Sequence, residues 1–100
     1  MMRNAKTEIL NQINGREVEY IRVEMIDPNT YEPLKPIEGR LDEVLPLMDF
    51  EYDGGYGAQW MTGVIWYADG TWSDRREYDG SEWWEHHVRP SLPNNETKGK

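Results

Sequence analysis

His86 and His87 stand side by side in the 100-residue chain, just after Glu85, and on a sheet they come within range of Asp74 or Glu82. Imidazole beside carboxylate is the raw material of a metal site or of proton transfer. Adjacent strand residues point to opposite faces, so the two histidines diverge and make a poor chelate. A zinc site gathers about four convergent ligands, and the chain has no cysteine to supply one. That leaves a single-histidine site with Asp74 or Glu82, or ordinary surface histidines. For general acid–base work, Asp74 and Glu85 are the carboxylates that converge if their strands are neighbours. With 19 Asp and Glu in the chain, such a pair arises easily by chance. Nucleophile elbow, metalloprotease helix and triad spacing are all missing from the sequence. Asp53-Gly54-Gly55-Tyr56-Gly57 is a flexible loop, but a phosphate cradle wants a following helix and a lysine or hydroxyl partner. We therefore expect a binding protein rather than an enzyme, with no cofactor and no metal. The enzyme alternative requires Asp74, Glu85, His86 and His87 to meet in one pocket.

Trp83 and Trp84 carry the binding chemistry. They cannot share one face of a regular strand. If one is core, the other lies under a helix or sits exposed. An exposed tryptophan near Arg75 and Arg76 has the composition of an interface hot spot. The expected docking surface is the face of the last two strands bearing Trp83 or Trp84, with Arg75 and Arg76 beside it, Glu82 and Glu85 at its rim and Asp74 nearby. Asp69, Asp74, Glu77, Asp79, Glu82 and Glu85 form an acidic ribbon that either imitates a phosphate track or is a solvated face.

The charge is −8 at neutral pH. A negative surface repels phosphate backbones, so direct nucleic-acid binding is not expected. A partner protein with a basic surface is. No apolar run approaches the roughly 18 residues of a membrane span. Met1-Met2-Arg3-Asn4-Ala5-Lys6 has no apolar stretch of a signal peptide. With no cysteine, the composition fits a cytoplasmic protein, monomer or homodimer. Residues 1–93 read as one domain, and 94–100 as a disordered polar tail.

The elements that position these residues read as α+β: an antiparallel β-meander of about four to six strands, with a short N-terminal helix packed on one face. Asn4 caps a helix over 4–13, with Ile9, Leu10 and Ile13 as its apolar stripe and Asn14-Gly15 as its stop. Residues 17–27 form a strand whose alternation slips between Tyr20 and Ile21, as a β-bulge makes it do. Asp27-Pro28-Asn29-Thr30 turns into an edge strand or extended loop holding Pro33 and Pro36. Leu41, Val44, Leu45 and Met48 have helical spacing, which Pro46 cuts short at about Leu45. Strands are expected over 47–52, 60–67, 72–78 and 82–88, with 60–67 central. Ala68-Asp69-Gly70 resembles a three-residue turn with a glycine bulge, which sets Trp66 opposite Trp72; a two-residue turn sets Tyr67 there instead. Ser73, Arg75 and Glu77 form a polar face expected to meet water. Ten of twelve aromatics lie at or after Phe50, so the core is expected mainly in the C-terminal half and rich in rings.

The cadence Val64-Ile65-Trp66-Tyr67-Ala68-Asp69-Gly70-Thr71-Trp72, then Tyr78-Asp79-Gly80-Ser81-Glu82-Trp83-Trp84, then Arg89-Pro90-Ser91-Leu92-Pro93, resembles small uncharacterised accessory proteins of tailed phages and prophages. The likeness covers the last third of the chain. It implies a small protein, cytoplasmic in an infected host, that modulates host defence or a nucleic-acid-processing protein by binding it. A toxin-neutralising immunity protein is a near neighbour of that reading. The alternative class is a small-ligand or carbohydrate binder that uses exposed tryptophans.

Overall fold

The computed structural model describes residues 2–27, 29–53, 60–78 and 81–90. Helix α1, Ala5–Ile13, is capped at both ends. The Thr7 N–H donates to the Asn4 side chain at 2.9 Å, supplying one of the donors that a helix start leaves free. Asn14 closes the other end in the left-handed conformation, φ 48°, with its N–H on the Leu10 carbonyl. The buried stripe is Ala5, Ile9 and Ile13, while Leu10 turns to solvent. A short strand, β1 (Met2–Asn4), leads into the helix.

β2 (Val18–Met25) pairs antiparallel with β5 (Met61–Tyr67). The register shifts between Val18 and Tyr20, so the bulge falls at Glu19. It turns Val18 to the core side with Ile21 and Val23 and leaves Tyr20 on the other face; Val18 and Tyr20 do not share a face. β3 (Ile37–Gly39) lies outside β2, as the two prolines of its segment require. β6 (Trp72–Tyr78) and β7 (Ser81–His87) complete a five-stranded sheet of order β3-β2-β5-β6-β7. Trp66 stands opposite Trp72. The turn between them closes with the Tyr67 N–H on the Thr71 carbonyl, and Gly70 takes φ 88°, as the three-residue turn demands.

The strand expected over 47–52 is a correction. Helix α2 (Leu41–Val44) runs on into a 3₁₀ turn, Leu45–Met48, whose first turn accepts Pro46. Proline lacks the amide that a first turn leaves unpaired anyway, so it redirects the helix rather than ending it in a strand. The strand that follows, β4, is only Glu51–Asp53, and it pairs with β1 outside the meander. The expected turn at Asp79-Gly80, the loop at 54–57 and the segment 91–100 lie outside the described residues.

The core also departs from expectation. Among the described residues its buried apolar members are Ala5, Ile9, Ile13, Ile21, Val23, Val44, Met48, Met61, Ile65, Tyr67 and Trp84. Only Tyr67 and Trp84 are aromatic, and most of the list comes from the N-terminal half. α1 and the 41–48 turn bring aliphatic side chains to one face of the sheet. The remaining rings among the described residues are left half-exposed or exposed.

β5 is paired with β2 along its length and with β6 over Val64, Ile65 and Trp66, so its amides open only with the sheet. Hydrogen exchange is expected to be slowest over Met61–Tyr67. Slowest exchange in Ala5–Ile13 would contradict this ordering.

Candidate binding face of the sheet

The covered face is built around a charge. Arg75 Nη2 donates to Glu82 Oε1 at 2.8 Å, and both side chains are buried, 0% and 1% exposed. The remaining lone pairs and protons of a buried ion pair need partners to offset its desolvation, and here they are met in part: Arg75 Nε and Nη1 have no hydrogen-bond partner. The second Glu82 oxygen accepts the Trp60 N–H at 2.9 Å. Arg75 also donates to the Tyr52 hydroxyl at 3.2 Å and lies 3.6 Å from a Glu8 oxygen. The Tyr52 hydroxyl donates in turn to Glu8. Burial, and then that bond to Glu8, pushes the Tyr52 hydroxyl pKa up. The guanidinium lies over the rings of Tyr52 and Trp84, at 5.6 and 5.4 Å. Arg3 reaches both Glu8 and the Glu82 carbonyl. Beside this cluster Gln12 donates to Ser73 Oγ, which shares a 2.7 Å hydrogen bond with the Tyr67 hydroxyl. The polar face read as meeting water is therefore largely interior: Ser73 and Arg75 are buried, because α1 brings Gln12 and Glu8 to meet them.

Gly63 completes the arrangement. A Cβ there would sit 2.8 Å from the Arg22 carbonyl and 3.1 Å from the Trp84 ring. The missing side chain lets the Trp84 indole lie across β6 onto β5.

The opposite face carries the rings. Tyr20, Trp66, Trp72 and His87 are successive cross-strand partners, one from each of β2, β5, β6 and β7. They make a transverse aromatic row. Tyr20 and Trp66 meet at 5.9 Å, and Trp72 stacks on His87 at 5.7 Å. Tyr20 and Trp66 are 38% and 39% exposed. The next row is polar: Glu38, Arg22, Val64, Asp74 and Glu85 stand side by side. Arg22 pairs with Glu24 and Glu38, and the Tyr20 hydroxyl donates to Glu38 at 2.8 Å. That hydrogen bond, joined by the Arg22 charge, holds the Glu38 carboxyl below its usual range. At the other end Arg76 and His87 each come within 2.9 Å of Asp74 and within 3.6 and 3.5 Å of Glu85. Trp83 flanks Arg76 across the strands.

The structure separates the seven residues expected at the docking surface. Trp83, Asp74, Arg76 and Glu85 share the open face. Trp84, Arg75 and Glu82 lie on the covered face, and their place at the interface is corrected. Neighbours in a strand alternate, so Arg75 and Arg76 never had one face to share. Asp74, Glu85 and His87 come together on an open surface, but His86 does not join them. It sits by Tyr67, its Nε2 3.0 Å from Thr71 Oγ1, with its pKa lowered by burial and then by Arg16. Among the described residues no group of three or more His, Asp or Glu is placed to hold a metal. Sequence reasoning missed Tyr20, Trp66 and Trp72 as members of the site. The signal was there in the Asp69-Gly70 turn, whose register pairs Trp66 with Trp72.

Comparison with family models, with curated proteins and with solved structures finds no match to this chain.

The two adjacent tryptophans should behave oppositely on truncation. Trp84→Ala is expected to destabilise the fold by about 3–5 kcal/mol. Trp83→Ala should stay within about 1 kcal/mol of the parent, as exposed substitutions do. Urea unfolding of the two variants measures this, and equal losses would place both rings in the core.

Proposed function

We propose that the protein is a small acidic protein-binding module whose open sheet face docks on a basic surface of a partner protein. The observation that carries the reading is the aromatic row Tyr20–Trp66–Trp72–His87 on a face that no described element covers. Rings of this kind beside arginine are the residues that dominate binding energy in protein interfaces. Charge selects the partner. The face holds Glu24, Glu38, Asp74 and Glu85 against Arg22 and Arg76, on a chain of net charge −8. Such a field speeds encounter with basic proteins and opposes nucleic acid or a second copy. No described helix is long and apolar enough to cross a membrane. The likeness of the last third to phage accessory proteins supports a more specific setting: the cytoplasm of an infected bacterium, with a host defence or nucleic-acid-processing protein as the target. Neutralisation of a toxin belongs to the same class. The module works by occupying its partner rather than by catalysis.

A second reading has its own support. Arg22, Asp74 and Glu85 place hydrogen-bonding groups directly beside the flat ring row, and a sugar offers both an apolar face and hydroxyls. On that reading a glycan quenches the fluorescence of Trp66 and Trp72.

Affinity capture from bacterial lysate at physiological salt is expected to retain a basic protein. The Tyr20→Ala/Trp66→Ala double variant should lose at least about 2 kcal/mol of that affinity, the scale of a hot spot, while Leu47→Ala, exposed elsewhere, should not. Equal capture by the double variant and the parent would contradict the proposed face.

A further inference from the structure

The five-stranded sheet ends on β7, and no described strand lies beyond it. The opposite edge is guarded: β3 is three residues long, and its segment carries Pro33 and Pro36. Short edge strands, prolines, lysines, bulges and inward-pointing charges are the devices that keep sheet edges from pairing. β7 carries one of them, the inward-pointing Glu82 near its start. It runs seven residues, Ser81–His87, without proline or lysine and in unbroken register with β6. Between this edge and α1 lies a groove of about 280 Å³, lined by Glu8, Asn11 and Gln12 of the helix and by Trp83 and Trp84 of the strand. An edge strand beside a helix-walled groove is the geometry in which extended peptides are taken up as an added strand. Main-chain hydrogen bonds hold such a peptide, and alternate side chains enter the groove.

We infer that β7 receives an extended segment of the basic partner as a sixth strand of the sheet, with arginine or lysine at alternate positions facing Trp83 and Glu85. This rests on the reading of the protein as a protein binder and says how the partner is held. The Glu82 carbonyl already takes the Arg3 guanidinium, so pairing runs along 83–87. On the open face, an incoming arginine meets the exposed ring of Trp83 and the carboxylate of Glu85, which is 46% exposed. Cation–π and charge attraction both favour that side chain. On the groove side, the carboxamides of Asn11 and Gln12 and the Trp84 ring suit small or β-branched side chains. A second copy of this chain is the poorer occupant, because it sets two chains of charge −8 edge to edge.

The test titrates the full ¹⁵N-labelled chain with blocked nine-residue peptides: one alternating arginine and valine, one alternating glutamate and valine, and the arginine peptide N-methylated at alternate amides in each of its two phases. The arginine peptide is expected to shift the amides of 83–87 and slow their exchange. The glutamate peptide and one of the two N-methylated phases should bind at least about tenfold more weakly, since charge and edge hydrogen bonds are each lost. Glu85→Lys should weaken the arginine peptide by about tenfold as well. The inference is overturned if shifts fall on β3 instead, if both N-methylated phases bind like the parent peptide, if no peptide binds, or if the free chain already dimerises through 83–87. Loss of peptide binding with Trp66-dependent partner capture intact would remove edge pairing alone and leave the open face as the docking surface.

Discussion

Among the described residues one ion pair, Arg75 with Glu82, has both side chains buried, and it stands at the centre of the covered face of the sheet. Two charges taken from water cost several kcal/mol each unless every remaining donor and acceptor finds company. Here the company is partial and comes from separate parts of the chain: Glu8 from α1, Tyr52 from β4 and the main chain of Trp60 ahead of β5 meet the pair, while Arg75 Nε and Nη1 keep no hydrogen-bond partner. Each is tied to the pair, so helix, small sheet and large sheet are placed relative to one another by one cluster. Removing either partner alone strands a buried charge, which typically costs about 3–5 kcal/mol. Well-packed apolar side chains in place of a buried ion pair are often as stable or more so.

The cover it anchors is one-sided. A nine-residue helix and the 41–48 turn shield the face holding Ile21, Val23, Ile65, Ser73, Arg75 and Trp84. Nothing among the described residues shields the face of Tyr20, Trp66, Trp72 and Trp83. The sequence distributes its apolar side chains accordingly. The compact aliphatics go beneath the helix, where close packing is demanding. Tyr52, Tyr67 and Trp84 stay on the covered side, while Tyr20, Trp66, Trp72 and Trp83, amphipathic at their edges, lie on the open side among arginines and carboxylates. Their half-exposure is therefore a consequence of topology, and the charge of the chain biases what they can meet.

Local signals in the sequence are legible where the physics is local. Asn4 and Asn14-Gly15 bound α1 because caps satisfy nearby main-chain groups. Asp69-Gly70 fixes the Trp66–Trp72 register because the turn dictates it. The slip in 17–27 announces a bulge, but the bulge falls at Glu19 rather than between Tyr20 and Ile21, so Val18 joins Ile21 on the core side. The failures come where distant partners decide. Polar alternation put Ser73 and Arg75 in water, because nothing near them in sequence announces that Glu8, Gln12 and Glu82 will arrive. Ring size suggested an aromatic core, but aliphatic side chains from the first half took that space. Pro46 stops an α-helix in principle, yet it opens a 3₁₀ turn here. Of the site, Trp83, Arg76, Glu85 and Asp74 were legible as one face only after the choice between Trp83 and Trp84, and that choice rests on the tertiary position of α1.

The central claim is that the sheet has one sealed and one open side, divided at Trp83 and Trp84. Paramagnetic broadening of the tryptophan ring signals by a neutral gadolinium chelate tests it most directly. The rings of Trp66 and Trp83, 39% and 38% exposed, should broaden readily, while Trp84, 8% exposed, stays sharp. Broadening of Trp84 to the same degree as Trp83, or a Trp66 as protected as Trp84, would contradict the account.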